Sequence, residues 1–290
     1  MIREVSILIP TYNCCCRQLV ESVQQQCADM DFLKYEIVVA DDGSTDRSYV
    51  QRNEPITRLS NVHYVVREQN IGRSAIRNFL ASQAIYEWLL FIDGDMMLRR
   101  NTYISDYLLA EGDVIYGGYQ IGQGSSSNLR YVFERAYEKN HLPEERKKNP
   151  YHDFHTSNFM VRKSIINRFP FDERFLHYGY EDVLWGKNLQ QQHINITHID
   201  NPLSFEVFED NLAFMEKTEE GLRTLSQFRR ELKGYSSLLD FIDRHKGLCL
   251  LLKNAYPCVG RTIRNWLIHN KPRLFLFNIY KLLYFLHIQT

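Results

Sequence analysis

The sequence predicts an open α/β sheet flanked by helices, on three observations. Short apolar runs recur along the first hundred residues, stretches of helix-forming length separate them, and each run stops abruptly at polar or acidic residues. The runs are residues 5–9, 36–40, 62–66 and 88–92. They are too short for buried helices and are bounded by turn or polar residues, so they read as buried parallel strands. Residues 17–27 and 73–84 read as helices between them, giving the order β-α-β-α-β-α-β. In such a sheet a ligand sits beyond the carboxyl ends of the strands. The candidate functional residues are therefore those that follow the runs: Pro10-Thr11-Tyr12-Asn13, the stretch from Asp41 to Asp46, and Asp93-Gly94-Asp95.

At 290 residues the chain exceeds the usual single domain, and 44% hydrophobic with 24% charged residues is the composition of an ordinary folded protein. The formal net charge is zero, yet residues 244–290 hold eight Lys and Arg and no Asp or Glu, a charge of +8 that leaves −8 on the rest. An acidic body with a basic, apolar tail suggests two different surfaces. Six cysteines at 14, 15, 16, 27, 249 and 258 lack the spacing of a disulfide framework or a zinc site and read as reduced packing residues. The apolar run at 5–9 is too short for a signal peptide, which makes the cytoplasm the expected location.

Each constellation admits a chemical and a plain structural reading. Asp93 and Asp95 emerge together at one strand end, with Gly94 permitting close backbone approach; two hard oxygen donors suit Mg2+ or Mn2+ neutralising a diphosphate, while an Asp-Gly surface turn is the alternative. Gly43 and a Ser44 or Thr45 helix cap are ordinary turn chemistry. Two adjacent acids, Asp41 and Asp42, suit a hydrogen bond from the imide of a uracil-type base. Arg73 and Arg77 lie four apart on the helix that opens after Gly72, where they either counter a donor diphosphate or stand solvated. Glu181 and Asp182 stand at another helix start, which welcomes acids in any case; the sharper reading makes Asp182 a general base for an acceptor hydroxyl and Glu181 its positioning partner.

In order and spacing these motifs resemble glycosyltransferase family 2, with the GT-A fold. The matching features are Ser6-Ile7-Leu8-Ile9-Pro10-Thr11-Tyr12-Asn13, residues 38–46, Asn70-x-Gly72 with Arg77-Asn78, Asp93-x-Asp95 and Gly179-Tyr180-Glu181-Asp182, spread over residues 3–220. The resemblance implies a GT-A catalytic domain over 1–220, with a nucleotide-sugar half to about 115 and an acceptor half from 116, followed by a helical extension over 221–290. It implies donor contacts from Pro10, Thr11, Tyr12, Asn13, Asp41, Asp42, Gly72, Arg73, Arg77, Asp93, Gly94 and Asp95, with Asp93 and Asp95 holding Mn2+ or Mg2+. Asp182 would be the base of a single displacement with inversion, and Asn158, Tyr180 and Glu181 would meet the acceptor. The implied reaction moves a sugar from a nucleoside diphosphate, UDP first among them, to a hydroxyl of a glycan or lipid-linked acceptor in surface polysaccharide synthesis. Nucleic acid is not an expected partner. One departure stands out: relatives often carry a metal-binding histidine shortly after an Asn-Pro like Asn201-Pro202, where this chain reads Leu203-Ser204-Phe205-Glu206. The third metal ligand is then His198, Glu206 or water.

From residue 247 short apolar runs alternate with isolated basic residues, and the last run, 274–288, would be about 22 Å long as a helix, short of a membrane crossing. Docking on the inner face of the plasma membrane and packing on the catalytic domain are the two readings, and they are compatible. Three rival functions compete. A sugar nucleotidyltransferase needs a glycine-rich phosphate loop where Pro10-Thr11-Tyr12-Asn13 stands. A non-catalytic nucleotide-sugar-binding or scaffolding protein has no use for Asp93, Asp95 and Asp182 together, and a glycoside hydrolase needs neither nucleotide nor metal.

Overall fold

The computed structural model describes residues 1–152 and 154–289. Among the described residues ten strands occur in chain order: β1 Glu4–Thr11, β2 Lys34–Asp41, β3 Val62–Val66, β4 Trp88–Ile92, β5 Met96–Met97, β6 Val114–Tyr116, β7 Tyr119–Ile121, β8 Asn158–Arg162, β9 Ile196–His198 and β10 Leu203–Phe205. Seven form one sheet in the order β3-β2-β1-β4-β8-β6-β9, and β5, β10 and β7 form a second, smaller one. The four expected runs are the parallel strands β1 to β4, while β8 enters antiparallel between β4 and β6 and makes the sheet mixed.

The apolar strands form because both of their faces are covered. Alternate residues of β1 serve opposite cores: Val5, Ile7 and Ile9 pack with helix Arg17–Ala28, and Leu8 packs with helix Arg73–Gln83. Glu36 is tolerated inside β2 because its carboxylate accepts bonds from the Ser6 hydroxyl and the Ile85 amide. Since β1, β2 and β4 run in parallel, their carboxyl ends lie side by side, and the loops starting after Thr11, Asp41 and Ile92 share one edge of the sheet.

The boundary expected at residue 220 does not survive, because it falls inside the continuous helix Asn211–Gln227. That helix joins Ser237–Arg244, Lys246–Leu252, Tyr256–His269 and Leu274–Ile288 in a third core, which also takes in Leu129, Phe175 and Leu184 from earlier elements. The expected division near 115 likewise falls inside β6. Packing on the catalytic part is thus what the inner faces of the tail do: Leu274–Ile288 is mostly apolar and buries Phe277, Tyr280, Leu283, Tyr284, Phe285 and Leu286. Its neighbours still leave Leu250 and Leu251 73% and 81% exposed. No helix among the described residues is long and apolar enough to cross a membrane.

Candidate active site

Two adjoining cavities open at the shared strand edge. The first, about 630 Å3, is lined by Pro10, Thr11, Tyr12, Cys14, Asp42, Gly72, Arg73, Arg77 and Asp93-Gly94-Asp95. The second, about 400 Å3, is lined by His155, Tyr180, Glu181 and Asp182 among others. Arg73, Asp93, Asp95, Tyr178 and Lys217 face both. The carboxylates that follow β4 therefore stand between a groove walled by the loop after β1 and a chamber that holds the start of helix Glu181–Gln191.

Local backbone chemistry explains this placement. The Gly94 amide donates to the Pro10 carbonyl (3.1 Å), and a Cβ there would sit 3.0 Å from both that oxygen and Thr11 Cβ. Glycine lets the two loops close on each other without either giving way. Gly72 has φ +89°, and its amide donates to Asp42 Oδ2 (3.1 Å), with the Ile71 amide donating to Asp42 Oδ1 (3.0 Å). Asp42 thereby holds the start of helix Arg73–Gln83 against the cleft wall.

Arg77 ties the acidic centre together. Its guanidinium is 2% exposed, lies 2.7 Å from Asp93 and 3.4 Å from Glu181, and Arg73 reaches Glu181 at 3.9 Å. Asp95 accepts no hydrogen bond from any side chain among the described residues, and burial together with the neighbouring Asp93 charge pushes its carboxyl up. Asp182 behaves oppositely. Burial pushes it up, but His155 at 3.2 Å and the Val183 amide at 2.8 Å outweigh that and hold its carboxyl below the ordinary aspartate range. Arg77→Ala is expected to leave Asp93 without its ion-pair partner and Glu181 with Arg73 alone at 3.9 Å, costing about 3–5 kcal/mol. Calorimetry should then show the melting temperature falling by roughly 5–10 °C; an unchanged value would show that the carboxylates do not depend on Arg77.

The structure relocates several expected site residues. Asp41 is buried with its two oxygens bonded to the Ser44 amide (2.7 Å) and hydroxyl (2.6 Å), so it holds a turn beneath the cleft while Asp42 faces it. Asn13 braces the same turn, donating its amide to Ser44 Oγ (2.8 Å) and its side chain to Thr45 Oγ1 (2.9 Å). Arg77 lines the groove but is spent on carboxylates, which leaves Arg73, 43% exposed, as the arginine open to an anion. Asn158 cannot meet an acceptor: Tyr103, Tyr107, Gly118 and Asn201 use all four of its hydrogen-bonding positions in the interior.

Neither proposed third ligand reaches Asp95. His198 is buried, its Nε2–H donates to the Pro150 carbonyl (3.0 Å), its Nδ1 faces Arg146 (3.3 Å), and burial beside Arg146 pushes it down to about 4. Glu206 chelates Arg99 at the surface. Phe205 lies on the wall of the second cavity, and among the described residues no group of three or more His, Cys, Asp and Glu is placed to hold a metal. The donor set that remains, Asp95 with Asp93, is two hard carboxylates that line both cavities, which fits a Mg2+ or Mn2+ ion completed by phosphate oxygens and water. Lys217 and Tyr178 are not among the expected site residues. Lys217 belongs to helix Asn211–Gln227 and sits 4.7 Å over the Tyr178 ring, a placement with no local sequence signal.

Solved structures share this arrangement of sheet and helices. S. aureus TarS 1-349 in complex with UDP is 18% identical with a TM-score of 0.52, covering 99% of this chain and 90% of that one. The mannosyltransferase PcManGT from Pyrobaculum calidifontis, in complex with GDP-Man and Mn2+, is 14% identical with a TM-score of 0.56, covering 97% and 84%. Glucosyl-3-phosphoglycerate synthase from Mycobacterium tuberculosis, with Mn2+, UDP and phosphoglyceric acid, is 15% identical with a TM-score of 0.51, covering 81% and 80%. The fold is GT-A, and the protein is a glycosyltransferase. Residues 6–169, more than half of the chain, match Glycosyl transferase family 2, and the chain belongs to that family. EpsH of Bacillus subtilis (strain 168), itself assigned as a glycosyltransferase only provisionally, is 26% identical over 274 residues, 85% of this chain and 76% of EpsH. Chondroitin synthase of Pasteurella multocida (strain Pm70) is 28% identical over 226 residues, 64% of this chain but only 23% of that protein.

Proposed function

We propose that the protein is a metal-dependent, inverting transferase that moves a sugar from a nucleoside diphosphate to an acceptor hydroxyl. The observation that carries this reading is the pair of cavities meeting at Asp93 and Asp95, with Asp182 in the second cavity alone. The first groove takes the donor: Thr11, Tyr12 and Asp42 face the nucleoside, and Arg73 with Lys217 counters the diphosphate. Asp95 and Asp93 would hold Mg2+ or Mn2+, and the ion would supply positive charge next to the leaving diphosphate. In the second cavity Asp182 takes the proton of the acceptor hydroxyl as that oxygen bonds to the anomeric carbon and the bond from that carbon to the diphosphate breaks. Attack from the side opposite the leaving group inverts the anomeric configuration. Arg77 fixes Asp93 and Glu181 relative to each other, so both cavities keep their register.

UDP and GDP are both candidate carriers, since TarS and PcManGT were solved with each in turn. A role in surface polysaccharide synthesis is supported by relatives such as the chondroitin synthase. A panel of UDP- and GDP-sugars with Mn2+ or Mg2+, scored for diphosphate release and thermal stabilisation, tests the assignment. Stabilisation without release under any acceptor would instead mark a binding protein.

The same reading puts the protein on the cytoplasmic face of a membrane. Leu250 and Leu251 project from helix Lys246–Leu252, with exposed Arg244, Lys246 and Arg261 nearby in the chain. Apolar side chains of this size contribute about 1.5–3 kcal/mol each on leaving water. Replacing both by serine should lower the fraction sedimenting with anionic vesicles at least tenfold, and equal sedimentation would remove the docking surface.

A further inference from the structure

Three of the cations that line the cavities gather on one side chain, Tyr178, which itself faces both cavities. The Arg73 guanidinium lies 4.8 Å and the Lys217 ammonium 4.7 Å from the centre of its ring, and Arg130 stands next to its hydroxyl. They come from three helices, Arg73–Gln83, Leu129–Tyr137 and Asn211–Gln227. Lys281, also on the wall of the second cavity, lies instead 5.1 Å and 4.8 Å from the ring centres of Phe133 and Phe277. The Tyr178 ring is fixed from behind. Lys217, Gly221 and Thr224 share one face of helix Asn211–Gln227. A Cβ on Gly221 would stand 3.5 Å from Tyr178 Cδ1, and the Thr224 hydroxyl donates to the Tyr178 carbonyl (3.0 Å).

Like charges this close repel, and the carboxylates near them do not use up the two cations that face both cavities. Arg73 reaches Glu181 only at 3.9 Å, beyond hydrogen-bond length. Lys217 donates to Glu209 at 3.1 Å, which leaves further ammonium protons. Arg130, by contrast, pairs with Glu134 at 2.7 Å and lines only the second cavity. The negative face of an aromatic ring attracts cations without taking up their N–H groups in ordinary hydrogen bonds. It therefore gathers Arg73 and Lys217 and leaves N–H groups for an incoming anion. A carboxylate in the same place would occupy those groups and repel the anion.

Resting on the transferase reading above, we propose that Tyr178 is a positioning residue for the donor diphosphate: its ring holds Arg73 and Lys217 together at the junction of the cavities, with N–H groups left for the phosphate oxygens. Arg73 and Lys217 face both cavities, as Asp93 and Asp95 do. The diphosphate then lies between a cationic wall and the carboxylates suited to its metal. A leucine at position 178 would fill space but present no such face.

The direct test needs neither sugar nor acceptor. Calorimetric titration with UDP, GDP and inorganic pyrophosphate, each with Mn2+, is run on the wild type, Tyr178→Phe, Tyr178→Leu, Lys217→Met and the double variant of Lys217→Met with Tyr178→Leu. The wild type is expected to bind pyrophosphate and at least one of the nucleotides. Affinity for each should fall about tenfold in Tyr178→Leu and stay within about twofold in Tyr178→Phe, which keeps the ring. In the Lys217→Met background the same Tyr178→Leu change should cost only about threefold, because one of the two cations it acts through is gone. Should Tyr178→Leu lose its fold, as its melting temperature without ligand would show, the ringless but adaptable Tyr178→Met takes its place in both backgrounds. Losses that multiply in full would overturn the assignment, by showing that the ring acts on the ligand without the cation. Equal affinity in wild type and Tyr178→Leu would overturn it too, and so would a loss in Tyr178→Phe as large as in Tyr178→Leu, or a wild type that binds none of the three ligands. Because no sugar is transferred in these measurements, a failed donor panel leaves them readable, and an unchanged affinity in Tyr178→Leu leaves the transferase reading standing.

Discussion

Asp182→Asn should stop sugar transfer while donor binding persists. The substitution keeps the shape of the side chain and an oxygen for the Val183 amide, but removes the lone pair that takes the acceptor proton. Loss of a positioned base costs roughly 10^2–10^4 in rate. Stabilisation by UDP with Mn2+ should stay near the wild-type value, because Asp182 lines only the second cavity. The pH profile gives an independent reading. A carboxyl held below the ordinary aspartate range stays ionised through neutral and mildly acidic pH, so this group should produce no loss of kcat/KM until the pH falls below that range. Wild-type transfer by Asp182→Asn would assign the base elsewhere.

Asp95→Ala should lose both transfer and metal-dependent donor binding. Asp95 faces both cavities, has no side-chain hydrogen-bond donor among the described residues and is pushed up by burial and Asp93, the condition of a carboxylate arranged for a cation. Asp93 is partly neutralised by Arg77 and cannot replace it. The loss of charge stabilisation on the leaving diphosphate should lower transfer on the order of 10^3-fold, equivalent to several kcal/mol. In the same variant, the shift in melting temperature caused by UDP with Mn2+ should disappear. Transfer within tenfold of wild type, or wild-type transfer that survives chelation of divalent ions, would remove the metal from the reaction.

The contrast between these two carboxyls was invisible in the sequence. Both are aspartates beside another acid, yet His155 draws one down while burial and then Asp93 push the other up, and His155 is 27 residues from the group it acts on. The same limit explains the relocated residues. Asp41 ends β2 and Asp42 follows it, but the pleat turns one towards Ser44 beneath the loop and the other towards the Gly72 amide on the cleft wall. Asn158 opens β8 beside Ile92, at the right edge of the sheet, but its side chain points into a buried network with Tyr103 and Tyr107.

By itself the sequence determined the four parallel strands, the edge on which the site lies and the acidic chemistry found there. That information is local: apolar runs mark buried strands, their abrupt ends mark the loops, and parallel order brings those loops together. Only the tertiary structure decided which acid faces the groove, that His198 and Glu206 are engaged with Arg146 and Arg99, and that Lys217 and Lys281 arrive from helices at the far end of the chain. The direction a side chain turns and the charge it meets depend on elements 27 to 107 residues apart, and spacing along the chain carries no record of either.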